Sequence, residues 1–437
     1  MLRLLFVWLF FSAPLMAEEL SLRGFYTVGV NWVDSDVDWD TYKYISRFDN
    51  QANITEYTRL GLNLSAPLTD YWTFYGQVLA QQYDDDASLR ADWMFLTYQP
   101  NDNISLRLGK IKSNQWYISD YIDVGRAYVW AAPPEEVYKI FPVKSYNGSS
   151  LELNHEIGDL KLVTELTVGS FSDTQVEGES TITLASERVY GLILGMEYEN
   201  YKLRLSYLDL DYSITLNDGE PFLTDPKVFS GALAFNMGDF SFIGEGVAIR
   251  VEDEFDQAAY DAATAEVASA YTELQSVNAS YQSAIAAESA AISSGDQTAI
   301  AQAVATRVSA ENSLSSAAES LAAANIRQSF EASEVDGINS FHLTASYRLA
   351  EKYVPYFTYA RSSATDKSPF FGSQKSFTLG FNYDVNFNTV IKLQAKQFEV
   401  LDGTSGFFSQ VGFSSTAAAI EENTTGTSYT ITVDSVF

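Results

Sequence analysis

From Leu20 to Trp32 the chain alternates: Leu22, Tyr26, Val28, Val30 and Trp32 fall on one face, Ser21, Arg23, Thr27 and Asn31 on the other. A period of two sustained over about ten residues is the pattern of a strand with one face in an apolar medium and the other in water. The same test predicts sixteen strands, at 20–33, 55–66, 71–83, 89–99, 103–112, 147–156, 159–171, 188–199, 201–212, 227–237, 239–252, 338–349, 353–363, 375–384, 388–400 and 427–437. Their connections alternate in length. Tight turns of Pro, Gly, Asn and Asp, such as Pro67–Asp70, Pro100–Asp102, Ile157–Gly158 and Met237–Gly238, alternate with mostly longer segments at 34–54, 84–88, 113–146, 172–187, 213–226, 253–337, 364–374 and 401–426.

Composition says which medium the apolar faces meet. Residues 1–17 carry Arg3, the apolar run Leu4–Phe11 and small residues ending at Ala17, and read as a secretory signal cut after Ala17. No later stretch holds the ~18 consecutive apolar residues of a spanning helix. Yet Phe, Trp and Tyr make up 14% of the chain, more than a soluble protein requires. A secreted, aromatic, strand-patterned chain without apolar helices predicts an all-β fold, a closed antiparallel transmembrane barrel over 18–437, because lipid tolerates only helices and closed sheets. Short turns then lie periplasmic with both termini, and long loops extracellular. Tyr71, Trp72, Tyr98, Tyr198, Tyr201, Phe240 and Tyr353 gather beside the short turns as an interfacial girdle.

Charge and cysteine count narrow the chemistry. A net charge of -30 argues against a nucleic-acid partner, and the absence of cysteine excludes disulfides and thiol catalysis. Asp34, Asp36, Asp38 and Asp40 alternate like a calcium loop but lack its glycine and closing glutamate, since Trp39 and Ile45 stand there. By alternation His155 faces outward near a turn, and His342 inward near the opposite rim. They lie too far apart for a joint catalytic or metal site. No cofactor motif is present, and the chain reads as non-enzymatic.

Two stretches break the alternation. Residues 256–330 are Ala- and Ser-rich, with apolar positions at Tyr260, Val267, Tyr271, Leu274, Tyr281, Ile285 and Ile292, then Ile300, Val304, Leu314 and Leu321, close to a heptad seam. Gly295-Asp296 divides them, which predicts an α-helical hairpin in the sixth long loop. Each arm would be about 54 Å long, too long to lie inside a barrel, so it projects from it. The other stretch, 113–146, carries Asp120, Asp123, Glu135 and Glu136 with Arg126, the aromatics Trp116, Tyr117, Tyr121, Tyr128 and Trp130, and Pro133-Pro134.

The last strand runs Tyr429, Ile431, Val433 to a terminal Phe437. This closing strand is similar to the assembly signal of Gram-negative outer-membrane barrels, and with sixteen strands and a long loop after the fifth the chain resembles the trimeric porin superfamily. The resemblance implies a homotrimer in the bacterial outer membrane, contacts with lipid and lipopolysaccharide, recognition of Phe437 by the barrel-assembly machinery, and passive diffusion of small hydrophilic solutes and ions. It also implies that loop 113–146 folds inward as the constriction, with Asp120, Asp123, Glu135 and Glu136 facing some of Arg23, Arg59, Arg107 and Lys392 on a basic wall. Alternation assigns to that wall Arg23, Arg59, Arg107, Lys161, Arg204, Arg348, Lys392 and Lys396, against fewer acids, Glu152, Glu165, Glu197 and Glu245. Net charge favours cations at the mouth and the wall favours anions in transit, so ion preference stays open. A second reading makes the helical hairpin primary, as a surface adhesin, receptor or assembly element on a barrel scaffold.

Overall fold

The computed structural model describes residues 20–437 apart from 40–41, 45–47, 55, 84–85, 142, 178–179, 217–220, 252–256, 332–336, 365–371, 403, 405 and 411–422. The signal sequence expected at 1–17 lies outside the described residues. The barrel strands are β1 (Ser21–Ser35), β2 (Arg59–Pro67), β3 (Trp72–Tyr83), β4 (Asp86–Asn101), β5 (Ile104–Lys112), β6 (Ser145–Ile157), β7 (Leu160–Glu177) and β8 (Ser180–Tyr198). They continue as β9 (Tyr201–Leu210), β10 (Pro226–Met237), β11 (Phe240–Val251), β12 (Ile338–Tyr347), β13 (Tyr353–Ala364), β14 (Ser373–Asp384), β15 (Thr389–Leu401) and β16 (Thr425–Val436). Each pairs antiparallel with its sequence neighbours, and β1 pairs with β16 as well as β2, so the sheet closes and leaves no edge. Gly24 and Phe437 exchange two backbone hydrogen bonds of 2.8 Å at the seam.

Burial along the strands is inverted relative to a soluble protein. On β12, Phe341 and Leu343 are exposed while Ser340, His342 and Thr344 are buried, and on β15 Leu393 is exposed while Lys392, Gln394 and Lys396 are buried. An apolar exterior over a polar interior is what a lipid-facing barrel requires. At the short-turn end Tyr71, Tyr198, Tyr201, Phe240 and Tyr353 are exposed, and several stack with neighbours, as Tyr353 does on Tyr383 at 5.4 Å. Gly158 and Gly238 turn with φ of 60° and 59°, the left-handed geometry that lets a two-residue connection follow the strand twist.

Two predicted loops are mostly strand. β7 and β8 run to Glu177 and from Ser180, and β4 begins at Asp86, so the described residues of the segments expected as loops at 172–187 and 84–88 extend the wall instead. Thr174 paired with Thr183 shows why: β-branched and polar residues continue the ladder beyond the point where the apolar face ends. In the first loop, Tyr42–Tyr44 pairs with Phe408–Gln410, and Tyr44 stacks on Phe398 at 4.5 Å, closing an apolar cluster over the long-loop end.

Helix α1 (Glu135–Tyr138) lies in the loop after β5, and α2 (Gln257–Ser294) and α3 (Gln297–Glu331) form an antiparallel pair between β11 and β12. The buried contact of that pair is alanine, at Ala263, Ala270, Ala284, Ala317 and Ala324, whereas Tyr271 and Ile292 of the expected seam are exposed. These alanines recur at seven-residue intervals and alternate with half-buried residues of the expected seam, Val267, Leu274 and Tyr281 on α2 and Leu314 and Leu321 on α3. Arg307 bridges to Glu288 across the pair at 2.7 Å.

Candidate functional site

Between β5 and β6 the chain leaves the wall and runs through the lumen. Without alternation it cannot add a strand, and its backbone groups are satisfied by short turns and side chains. Trp116 N–H donates to Ser119 Oγ at 2.9 Å, 3-10 turns form at Ser119–Tyr121 and Gly125–Ala127, and Pro134 starts α1 with its carbonyl accepting from Val137 and Tyr138. Trp130, Val137 and Ile140 are buried between loop and wall.

Three sets of contacts hold the loop. On the β7–β11 side, Asn114 donates to Glu165 at 2.7 Å, and the hydroxyls of Ser206 and Ser230 donate to the Gln115 carbonyl at 2.9 and 2.8 Å. Arg204 donates to the Asn114 carbonyl. Glu245 accepts from Tyr117 N–H at 2.8 Å and from the Tyr138 hydroxyl at 2.5 Å.

On the β12–β16 side, the Lys392 ammonium donates to the carbonyls of Gly125, Tyr128 and Trp130 at 2.5, 2.6 and 2.9 Å, with Asp434 as counter-charge at 3.6 Å. Three donors meet three acceptors, so the buried cation is fully satisfied. Trp130 Nε1–H donates to Thr358 at 3.0 Å, and Gln394 Oε1 accepts from Ala131 and Ala132 N–H at 3.2 and 3.1 Å. Lys396 pairs with Glu135 and, at 3.0 Å, with Glu136, while Gln374 donates to Glu136 at 2.8 Å. Two buried carboxylates share one ammonium, and their carboxyl groups separate: burial pushes Glu135 up despite Lys396, whereas for Glu136 the same burial is outweighed by Lys396 and Gln374, which hold it down.

On the β2–β5 side, charges alternate in a chain. Arg90 lies 3.6 Å from Asp92, Asp92 lies 3.0 Å from Lys112, Lys112 pairs with Asp123, and Asp123 lies 3.8 Å from Arg59. Burial alone would raise the Asp123 carboxyl, but Lys112 and Arg59 prevail and hold it well below the usual range. Arg59 also donates to the Tyr128 hydroxyl at 2.9 Å.

The predicted site residues thus separate into sealed and water-facing groups. Lys392 and Lys396 are on the inner face, but the loop covers them and leaves 1% and 2% exposed, because both ammonium groups are consumed in anchoring it. Glu135, Glu136 and Asp123 are paired, and Arg126 binds the wall acid Asp384 at 3.1 Å. Arg348 reaches the same Asp384 at 3.0 Å. Asp120 is exposed in the lumen, near Arg204 and Arg107, and its enclosure there raises its carboxyl despite those two cations. Arg107 pairs with Glu152 at 2.5 Å, Lys161 with Glu156 at 3.5 Å, and Arg23 is exposed at the short-turn end of β1.

The pairing anticipated between the loop acids and Arg23, Arg59, Arg107 and Lys392 is realised as an ion pair by Asp123 with Arg59. Glu135 and Glu136 instead meet Lys396. Lys392 meets loop carbonyls, which carry no signal in the sequence. His342 faces inward as alternation predicts, but it sits in mid-wall rather than near the rim, with Trp130 at 5.2 Å and Glu245 at 3.6 Å. The wall acids Asp92, Asp384 and Asp434 were not picked out. Asp434 was accessible by alternation from Val433, whereas a bulge at Gln77/Val78 shifts the partner register of the strand bearing Asp92.

Comparison with protein families and with curated proteins gives no match. Solved structures do match. An anion-selective porin from Comamonas acidovorans aligns over 96% of this chain and 99% of its own with a TM-score of 0.52 at 11% identity. OmpF of Salmonella typhi, in complex with daunomycin, aligns over 96% and 100% with a TM-score of 0.50 at 11% identity. Outer-membrane expressed OmpT of Vibrio cholerae aligns over 96% and 97% with a TM-score of 0.50 at 8% identity. With its own closed ring of sixteen antiparallel strands and these superpositions, the chain has the fold of the outer-membrane porins.

Proposed function

We propose that the protein is a passive diffusion channel for small hydrophilic solutes and ions, non-enzymatic, in the bacterial outer membrane. The observation that carries this reading is the loop 113–144: it leaves the wall, crosses the lumen and is tied to strands on several sides by buried charge pairs. A lumen lined by Asp120, Arg107, Arg204, Lys161 and Arg23 is tolerable only with water and counter-ions in it, and water-filled charge is the property of a channel. The loop is the constriction. Because Asp123, Glu135 and Glu136 are neutralised by the cations they bind, Asp120 is the loop acid that meets permeating ions, beside Arg204 and Arg107. The long loops and the α2–α3 pair face the medium, both termini and the short turns face the periplasm, three copies assemble through their apolar outer faces, lipopolysaccharide contacts the long-loop rim, and Phe437 is the assembly signal. Single-channel reversal potential in a salt gradient tests this; a silent bilayer containing well-folded protein would overturn it.

The exposed Tyr271, Ile292 and Val308 on α2 and α3 favour a second role, display of the helix pair to a surface partner.

A further inference from the structure

The outer face of the barrel changes character near the long-loop end of β12–β15. One row of cross-strand partners runs Phe341, Arg361, Lys375, Glu399 across these four strands, and the row two residues nearer the short turns runs Leu343, Tyr359, Phe377, Gln397. Partners in a row point to the same side of the sheet, and the exposure of Phe341, Leu343 and Phe377 fixes that side as the outside. We propose, on the outer-membrane reading above, that the charged row binds the phosphate of an outer-leaflet lipid whose acyl chains lie on the apolar rows next to it.

Charge within the row asks for an anion. Arg361 and Lys375 are direct partners, with Cβ atoms about 5 Å apart, a spacing at which like charges destabilise a strand pair. Glu399 meets Lys375 at 2.8 Å from the far side, whereas no described carboxylate pairs with Arg361, which is exposed. Arg250 on β11 faces outward at the same end, but its guanidinium is engaged by the Ile249 and Ile338 carbonyls at 2.8 and 3.3 Å and by Asn339 Oδ1 at 2.6 Å. Arg361 is therefore the open cation. A phosphate between Arg361 and Lys375 turns their repulsion into two attractions, and the planar guanidinium fork matches two phosphate oxygens at once.

The neighbouring rows make the ligand a lipid. Phe341 and Tyr359 lie 5.8 Å apart, Tyr359 and Phe377 5.0 Å, and Phe357 and Phe377 6.3 Å, so one continuous aromatic surface begins where the charge ends. Leu343 and Leu379 extend it, both exposed. Free phosphate would use the charged row alone; a phosphorylated amphiphile uses both. The seam is different: Trp32 and Tyr429 stack there at 5.1 Å, and the next outward row holds Asp34 opposite Thr427, an acid where β13 and β14 carry cations. The site thus belongs to one arc of the rim.

Native mass spectrometry of the folded protein in detergent, titrated with bisphosphorylated lipid A and with the same lipid dephosphorylated, tests the site. The phosphorylated form should bind at least about tenfold more tightly. Arg361→Gln combined with Lys375→Gln should abolish that difference, and Arg361→Lys, a milder change should the double variant fail to fold, should reduce it. Equal binding of the two lipids by the wild-type protein overturns the proposal, as does an undiminished difference in the double variant. Displacement of lipid A by an equal concentration of inorganic phosphate overturns it in favour of a simple anion site. Dissociation of an oligomer by Arg361→Gln, with no lipid A bound by the wild type, overturns it in favour of a contact between copies of this chain. The row lies outside the lumen, so a silent bilayer with lipid discrimination intact would remove the channel reading and keep the site, and a conducting channel without discrimination would do the reverse.

Discussion

The ammonium of Lys396 lies 3.0 Å from the carboxylate of Glu136, and both side chains are almost wholly withdrawn from water. Lys396 is on the wall and Glu136 in the loop, so this pair joins the two parts of the molecule that alternation separates. Breaking a buried pair leaves an uncompensated charge and costs about 3–5 kcal/mol. In Lys396→Met, Glu135 and Glu136 lose their shared cation, and loop amides from Ala131 to Ile140 should exchange with solvent at least ~100-fold faster while barrel amides are unaffected. Adding Glu135→Gln and Glu136→Gln to the same variant should recover most of the protection. Unchanged exchange in the single variant would mean that the ion cluster does not anchor the loop.

Gly125 packs against the seam strands β1 and β16. A Cβ there would run into the Asp434 carboxylate and lie 2.9 Å from Thr27 Oγ1. Gly125→Val should push the 3-10 turn toward the barrel axis, break the bond from Lys392 to the Gly125 carbonyl, and lower single-channel conductance with strand content by circular dichroism unchanged. Wild-type conductance in this variant would place the narrowing elsewhere.

Titration of the loop acids should be ordered. Asp120 is raised by its enclosure, so on acidification it loses its charge at a pH above the ordinary carboxylate range, while Asp123 and Glu136 are held down and stay ionised. Reversal potentials should therefore move toward greater anion preference in mildly acidic buffer, and Asp120→Asn should show that preference at neutral pH with the shift abolished. The stability signs follow from proton linkage. For Asp120 and Glu135 the folded state binds the proton more tightly, so their contribution to stability falls as pH rises from the unfolded to the folded titration range. For Asp123 the contribution is present above the unfolded range and is lost as pH falls through its depressed folded range. A reversal potential independent of pH down to the ordinary carboxylate range would overturn the assignment of Asp120.

Trp130 is the largest fully buried side chain, and its indole N–H donates to Thr358 on the opposing wall. Trp130→Ala removes that bond and opens a cavity, at a cost of about 3–5 kcal/mol. The cost should appear as earlier loss of loop protection in urea, and open-channel current noise should rise. Quiet current and unaltered protection would show that the loop is held by its polar contacts alone.

The barrel was legible because its rule is local. Leu393 exposed between buried Lys392 and Gln394 is readable from three consecutive residues, and the same parity holds wherever the ladder is regular. Strand ends were less legible. Thr174 and Thr183 pair beyond the apolar band, where alternation carries no free-energy difference and so leaves no mark. Within the site, parity identified Lys396 as inward and composition identified Glu135 and Glu136 as loop acids, but their meeting depends on how the loop crosses the lumen. The three carbonyls around Lys392 lie still further from reach, because every residue has a carbonyl and only the fold selects Gly125, Tyr128 and Trp130.

Among the described residues, the α2–α3 pair packs on itself through Ala263, Ala270, Ala284, Ala317 and Ala324 and through the bridge from Arg307 to Glu288. The barrel ring closes through β11 and β12, whose register runs from Phe240 opposite Tyr347 to Ile249 opposite Ile338 without using either helix. Replacing 256–330 with a short Gly/Ser linker should leave the barrel's thermal midpoint and single-channel conductance at wild-type values, since joining the ends by a shorter loop lowers the closure entropy slightly. If the helix pair displays a surface to a partner, cell-surface binding should vanish in the same variant. Collapse of conductance or of barrel folding would instead assign the pair a part in shaping the pore mouth, and binding retained in full would exclude it as the displayed surface.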